Sequence, residues 1–247
     1  MKERLYNELA KYYDLFNYSD YGKQSMFLSK IFDKYSKDCL NNRQVLDLAC
    51  GTGEHIKLLK DKFIISGQDI NWGMIKVARA KNKKIKIAQG DLNKLKIKTN
   101  FYGLIYCFSS SIQYILNPAD LLKTFLAINK GLSAGGIFAF DLSYCKENWK
   151  EGYVGISTVI KDDLQIVEIF KSRSKNNISY YNPVYLINEK NKFKFYIDEH
   201  QIYLYKINQI KKLLKIAGFK KVLVKADYED KNLILKKKQT PIFLAIK

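Results

Sequence analysis

Arginine is nearly missing from this chain. Of 43 basic residues in 247, only Arg4, Arg43, Arg79 and Arg173 are arginine. Nucleic-acid sites favour arginine, whose planar fork makes bidentate contacts that lysine cannot. The net charge of +19 is spread along the chain among many Ile, Asn and Tyr, and reads as a compositional habit. Counterion release still predicts weak nonspecific nucleic-acid binding at low salt. The densest basic run, Lys236-Lys237-Lys238, is short and reads as a solvated loop. Cysteine is scarce too. Cys39, Cys50, Cys107 and Cys145 show neither metal-ligand spacing nor a C-x-x-C pair, so no metal is expected. No apolar run approaches the ~18–20 residues that cross a bilayer, and no secretory signal is visible. A cytoplasmic location is the expectation. At 247 residues, the chain can form one α/β domain with an elaboration and bury a sizeable core.

Periodicity organises the chain. Leu5, Leu9, Tyr12 and Phe16 fall on one face of a helix predicted over 3–17, and a second helix is predicted over roughly 21–35. Strands are predicted at 44–48, 63–69, 85–89, 101–108, 136–142, 219–226 and 241–247. Helices are predicted at 54–61, 71–81, 119–131 and 207–217, the last closed by Gly218. This alternation predicts a doubly wound, mostly parallel seven-stranded sheet. Residues 153–205 break the rhythm. Alternating runs such as Lys192-Phe193-Lys194-Phe195 and Gln201-Ile202-Tyr203-Leu204 predict antiparallel strands. Asn176-Asn177 and Asn188-Glu189-Lys190-Asn191 read as their turns.

The chemistry concentrates in Val45-Leu46-Asp47-Leu48-Ala49-Cys50-Gly51-Thr52-Gly53. An apolar strand runs into a carboxylate, then a two-glycine loop, then the helical Glu54-His55-Ile56-Lys57-Leu58-Leu59. Glycines there admit backbone to within contact of a ligand. Asp69 ends the next apolar run, where a carboxylate usually accepts from ribose hydroxyls. A nicotinamide site wants a third glycine, but that position is Ile56, and no Gly-Lys-Ser/Thr follows for a phosphate loop. Asp47 would repel a pyrophosphate and suits a cationic ammonium. S-adenosyl-L-methionine has an amino-acid end, a ribose, an adenine and no phosphate.

These residues resemble the class I S-adenosylmethionine-dependent methyltransferases. Asp47–Gly53 is similar to that family's acidic glycine-rich loop, with Ala49 in the first glycine position. Asp69 is similar to its ribose-binding acid. Gln89-Gly90-Asp91-Leu92 is similar to the Gly-Asp pair whose Asp meets the adenine amino group. Leu132-Ser133-Ala134-Gly135-Gly136 is similar to the loop before its fifth strand. A narrower resemblance, to enzymes that N-methylate nucleotide-linked amino sugars, rests on Tyr6–Asp14, Cys107–Tyr114, Trp149–Val154 and Glu199–Tyr205. The chain departs from that subgroup at Leu142-Ser143-Tyr144, where those enzymes carry Pro-Trp-Trp. It departs again at Lys236–Pro241, where they carry a glycine-rich run with an arginine.

The resemblance implies a Rossmann-like fold in three parts. Residues 1–35 form an N-terminal helical lid. Residues 36–148 and 207–247 bind the cofactor. Residues 149–206 form an antiparallel β insert capping the acceptor side, with a homodimer through that insert as a compatible role. The implied cofactor set is Tyr13, Asp47, Ala49, Cys50, Gly51, Gly53, Asp69, Ile70, Met74, Asp91, Leu92, Cys107 and Phe108. Tyr114 is expected to position the acceptor and His200 to serve as an acid–base group. Tyr6 and Trp149 are expected on the substrate, and His55 is expected exposed in the first turn of its helix. The function implied is N-methylation of a small molecule, an amino sugar nucleotide or related amine. The alternative is an RNA-binding or RNA-modifying protein of the same fold. Against it, Ser109-Ser110-Ser111-Ile112 stands where base-amino methyltransferases carry Asn/Asp-Pro-Pro-aromatic, and Cys107 lacks the Pro-Cys context of a cytosine-C5 nucleophile.

Overall fold

A computed structural model describes residues 3–16, 19–36, 41–234 and 238–247. Cys39, Lys236 and Lys237 lie outside the described residues. Five strands alternate with helices: β1 (Gln44–Leu48), β2 (Ile64–Asp69), β3 (Lys86–Gln89), β4 (Tyr102–Cys107) and β5 (Leu132–Asp141). The helices are α1 (Tyr13–Phe16), α2 (Tyr21–Tyr35), α3 (Glu54–Leu59), α4 (Trp72–Lys81), α5 (Pro118–Gly131) and α6 (Ile207–Ile216). Between β5 and α6 come β6 (Val154–Lys161), β7 (Leu164–Lys175), β8 (Ile178–Tyr181), β9 (Val184–Glu189), β10 (Lys192–Ile197) and β11 (His200–Tyr203). After α6 follow β12 (Lys221–Ala226), β13 (Glu229–Asn232) and β14 (Pro241–Ile246).

The central sheet is mixed, in the order β13-β12-β14-β5-β4-β1-β2-β3. β1 to β5 run parallel, and β14 runs antiparallel between β5 and β12. Eight strands therefore stand where seven were expected. The addition is β13, which folds back on β12 through the left-handed Asp227 and Tyr228. Its sequence, Glu-Asp-Lys-Asn, has no apolar alternation to announce a strand. An ion pair from Lys225 Nζ to Asp230, 2.7 Å long, sits beside it.

The two faces of this sheet are covered differently. Phe125, Ile128, Ile210 and Leu214 of α5 and α6 pack on Phe138, Phe140 and Phe243 on one side. Phe27, Leu28, Ile31 and Phe32 of α2, with Ile56 and Leu59 of α3, pack on Val45, Leu104 and Tyr106 on the other. Burying such side chains contributes roughly 1.5–3 kcal/mol each. Asn117 caps α5 by accepting from Ala119 N, with Pro118 in the first turn, and Asp20 caps α2 through Lys23 N.

Two expected elements take another form. The helix predicted over 3–17 is broken into turns, a 3-10 stretch at Ala10–Tyr12 and the short α1. Leu5, Leu9, Tyr12 and Phe16 are nevertheless all buried together, against Ile166, Tyr185 and Ile187 of the insert. The apolar spacing served docking onto a sheet rather than a continuous helix. The loop expected at 132–136 is drawn into β5, with a register break opposite Tyr102–Leu104.

The insert is an antiparallel six-stranded sheet. Asn176-Asn177 and Lys190-Asn191 are its two-residue turns, left-handed at both positions, as such hairpins require. No helix among the described residues is long and apolar enough to cross a membrane.

Candidate active site

The carboxyl ends of β1 to β4 surround a cavity of about 250 Å³. Each strand delivers its side chains where its hydrogen-bonded ladder ends. Asp47, Ala49, Cys50 and Gly51 come from β1 and its loop, and Asp69 and Ile70 from the end of β2. Met74 comes from α4, Asp91 and Leu92 follow β3, and Phe108 and Tyr114 follow β4. Tyr6 and Tyr13 come from the N-terminal segment. Tyr6 and Tyr114, 108 residues apart in sequence, thus close on one space.

Asp47 is only 2% exposed, and its Oδ2 has no hydrogen-bond partner. Burial pushes its carboxyl well above the ordinary carboxylate range; the facing Tyr106 phenol pulls the other way and does not offset this. Asp69 is tied differently. Its Oδ2 accepts from Gly51 N and its Oδ1 from Asn71 N, both at 2.9 Å. Burial raises its carboxyl too, and those N–H bonds oppose the rise. Asp69 therefore shapes the glycine loop as well as facing the cavity. A Cβ at Gly51 would meet nothing within 4 Å, so open space lies over the loop.

Ile56, where a third glycine was missing, is fully buried. Its room comes from β2. A Cβ on Gly67 would fall 2.7 Å from Ile56 Cδ1 and 3.0 Å from Cys50 Sγ. The glycine that permits close helix–strand packing has moved from the helix to the strand beneath it.

The N-terminal segment is fastened at the cavity rim. Asp14 accepts from Thr52 Oγ1 at 2.7 Å and from Lys81 Nζ at 2.6 Å, and Lys81 also pairs with Glu54. Met74 N donates to Tyr6 O at 3.2 Å. Gly73 permits that approach, since a Cβ there would lie 2.4 Å from Asn7 O.

At the other end of the cavity, three side chains form a chain. The hydroxyls of Tyr6 and Tyr114 are 2.8 Å apart, and Tyr114 Oη is 3.0 Å from His200 Nδ1. His200 Nε2 lies 3.3 Å from Asp198 Oδ2, close but poorly aligned as a hydrogen bond. Burial raises the Asp198 carboxyl, but His200 and the N–H groups of Leu5 and Arg4 outweigh it and hold the group below its ordinary value. Burial pushes both phenols upward, so Tyr6 and Tyr114 stay protonated at neutral pH.

Some expected site residues lie elsewhere. Gly53 is the left-handed N-cap of α3, where a Cβ would fall 2.7 Å from Asn82 Nδ2; it serves helix packing rather than the cavity. Cys107 is fully buried in the core under α5, because its side chain points away from the cavity side of β4. Trp149 does not line the cavity. Its indole Nε1 reaches Glu151 Oε2 at 3.4 Å, and Glu151 is tied to Ser174 of β7, which turns the ring outward. His200 is buried behind Tyr114 rather than lining the space. His55 is buried, not exposed: its Nε2 is 2.7 Å from Gln24 Oε1, and its edge packs on Tyr21, Tyr106 and Phe108. The approach of α2 hid it from sequence reasoning. Thr52 and Ser109 also line the cavity, and Lys81 and Gln113 brace it; all four were missed because their roles depend on partners far away in sequence.

These residues fit S-adenosyl-L-methionine. An unpartnered buried carboxylate oxygen awaits a cation, a second carboxylate borders the space, and the loop between them is open. Residues 45–136 match the model of the methyltransferase domain family. A solved S-adenosylmethionine-dependent methyltransferase from Clostridium acetobutylicum superposes with a TM-score of 0.76 at 25% identity, covering 93% of this chain and 92% of that one. The fold and the cavity define a class I methyltransferase: the chain is an S-adenosylmethionine-dependent methyltransferase. Over most of its length it resembles sugar N-methyltransferases. A dTDP-3-amino-3,6-dideoxy-alpha-D-glucopyranose N,N-dimethyltransferase from Streptomyces fradiae is 24% identical over 85% of this chain and 83% of its own. Streptomyces venezuelae DesVI shares the fold, with a TM-score of 0.79 at 20% identity over 97% of each chain.

Proposed function

We propose that this enzyme N-methylates a small amine, with an amino sugar nucleotide as the leading acceptor. The observation that carries the reading is the pair of neutral phenols, Tyr6 and Tyr114, bordering the cavity with His200 and Asp198 behind them. The names of its relatives support the sugar class.

S-adenosyl-L-methionine supplies an electrophilic methyl on sulfonium when bound. Asp47 would hold its ammonium end, Asp69 its ribose hydroxyls and Asp91 its adenine, with Ile70, Met74, Leu92 and Phe108 as walls and Tyr13 as the closing ring. The protein's remaining task is to orient the amine and exclude water, and orientation alone supplies about 7–11 kcal/mol of a barrier. The fastened N-terminal segment acts as the lid.

The Asp198 carboxylate, 3.3 Å from Nε2, favours the His200 proton on that nitrogen and leaves Nδ1 to accept. Tyr114 then donates to Nδ1, and Tyr6 donates to Tyr114. The Tyr6 oxygen keeps a lone pair for the acceptor N–H. When the amine nitrogen takes the methyl, its proton passes to Tyr6 Oη, the Tyr6 proton to Tyr114 Oη, and the Tyr114 proton to His200 Nδ1. Asp198 stabilises the imidazolium that results. His200 is thus a positioning and proton-storing group rather than one that touches substrate. Phe170, Tyr181 and His200 stand ring to ring, 4.7 and 5.6 Å between centroids, continuing outward to Tyr153.

A panel of nucleotide-linked amino sugars, free amines, amino acids and phenols, assayed for methylated product by mass spectrometry, tests the reading. Turnover confined to amines is expected. Exclusive methylation of oxygen or carbon would overturn it.

We further propose a homodimer through the outer face of the insert. The register of β6, β7, β9 and β10 aligns Ile156, Ile169, Val184 and Ile197 in one row, and Thr158, Val167, Leu186 and Phe195 in the next. Phe193 is 80% exposed, Ile160 78% and Ile156 68%. The rows carry no charge, so a second copy of the same face fits a chain otherwise rich in lysine.

A further inference from the structure

The segment that carries Tyr114 begins in an unfavourable conformation. Ser109 and Ser110, directly after β4, both have left-handed backbones, with φ of 58° and 59°. Neither is glycine, so something must hold them there. The holder is Asp141, at the end of β5 and fully buried. Its Oδ1 accepts from Ser110 N at 2.6 Å and its Oδ2 from Ser109 N at 3.1 Å. Tyr228, in the turn between β12 and β13, donates its hydroxyl to the same carboxylate. Ser110 Oγ in turn accepts from Ser143 N at 2.8 Å. Past the turn, the fully buried Gln113 donates Nε2 to Tyr144 O at 2.9 Å and Tyr203 O at 3.0 Å, and Tyr114 follows.

We propose that Asp141 is a positioning residue, whose ionised carboxylate, steadied by Tyr228, clamps the Ser109–Ser110 turn and thereby sets Tyr114 against the acceptor. The consequence for the acceptor rests on the proposed methyl-transfer reading; the clamp itself does not. One carboxylate satisfies two adjacent N–H donors and a phenol at once. A protonated carboxyl offers one acceptor fewer and adds a donor facing two N–H groups. The clamp therefore needs the ionised form.

Burial pushes Asp141 up to about 6, against the lowering effect of Tyr228 and the two serine N–H groups. The groups facing it from the neighbouring elements are the phenols of Tyr228, Tyr13 and Tyr144 and the thiol of Cys107. All are neutral near pH 7, so they supply no counter-charge. The clamp should loosen as pH falls through about 6. Tyr228→Phe keeps the carboxylate but removes the bond that favours ionisation. It should move the transition to higher pH.

The test follows the backbone amides of Ser109 and Ser110 by 15N–1H NMR in the full chain, without substrate. Both resonances should shift together in one titration near pH 6. Tyr228→Phe should raise the midpoint, and Asp141→Asn should abolish the titration. Asp141→Asn should also lower kcat about tenfold to a hundredfold, as a misplaced group does. Its affinity for S-adenosylhomocysteine should stay within about threefold, since 0.65 kcal/mol is a threefold change and Asp141 does not line the cavity. Flat amide shifts between pH 5 and 8, or a midpoint unmoved by Tyr228→Phe, would overturn the proposal. If Asp141→Asn does not fold, Tyr228→Phe still decides it. Titrating amides in a protein that methylates no amine would sink the proposed function and leave the clamp standing.

Discussion

Tyr114 Oη sits 3.0 Å from His200 Nδ1, joining the cavity wall to a buried imidazole that reaches no ligand itself. Tyr114→Phe removes this link with almost no change in volume. It should lower kcat about tenfold or more, at roughly 1.4 kcal/mol per factor of ten. Affinity for S-adenosylhomocysteine should hold. His200→Gln should also lower kcat while leaving acceptor KM nearly unchanged, because His200 stands behind Tyr114. Full turnover by Tyr114→Phe would reduce the phenol to a wall.

If Asp47 holds the cofactor's ammonium as proposed, cofactor binding should be a proton-linked event. Its carboxyl lies well above the ordinary range because it is buried. A bound ammonium would bring it down again. Binding should therefore release protons below the free-state pKa, and affinity should rise with pH. Calorimetry with S-adenosylhomocysteine in buffers of different ionisation heat measures this. The buffer dependence should vanish in Asp47→Asn. No dependence in the wild type would remove the assignment.

Asp141 and His55 predict opposite slopes of stability with pH. Asp141 is raised to about 6 by burial, so the folded state holds a proton that the unfolded state has lost. Its charged form therefore costs about 3 kcal/mol above pH 6, at 1.36 kcal/mol per unit, and that cost fades toward pH 4. His55 is lowered to about 4 by burial, so stability falls as pH drops from about 6.5. Unfolding in urea, compared between wild type and Asp141→Asn, isolates the first effect. The wild type should gain up to about 3 kcal/mol relative to the variant between pH 7 and pH 4. A constant difference would contradict a raised Asp141.

Gly67→Ala should destabilise the protein by about 1–3 kcal/mol, the usual range for an overpacked core. The added methyl meets Ile56 and Cys50 inside contact distance. Ile56→Val should recover part of the loss in the double variant. An additive double variant would show that the two side chains do not share this space.

The insert's outer face predicts the assembly state. Wild type should sediment as a dimer at micromolar concentration. Phe193→Lys with Ile156→Lys should yield a monomer with an intact fold, since both side chains are open to solvent in the single chain. A monomeric wild type would end the dimer reading.

Much of this protein follows from local pattern. The strand–loop–helix at Val45–Leu59, Asp69 at the end of a strand and the Asn-Asn hairpin at Asn176 are set by burial period and by residues that tolerate left-handed backbones. Those forces act within a few residues, so a linear reading finds them. Strand β13 escaped because its residues are charged and its pairing depends on the Asp227–Tyr228 reversal. Phe193 and Phe195 alternate with lysines as a buried face would, yet the tertiary arrangement spends the opposite faces of the neighbouring strands on the N-terminal segment and leaves these rings open. The local sequence determined which elements form and which carboxylates reach the strand ends. Only the tertiary structure decided that His55 is buried, that Gly67 makes room for Ile56, and that Asp141 reaches Ser109 and Ser110. Each of those depends on a side chain meeting a partner far away in sequence. Such meetings are settled by how helices and sheets stack, which periodicity along the chain does not encode.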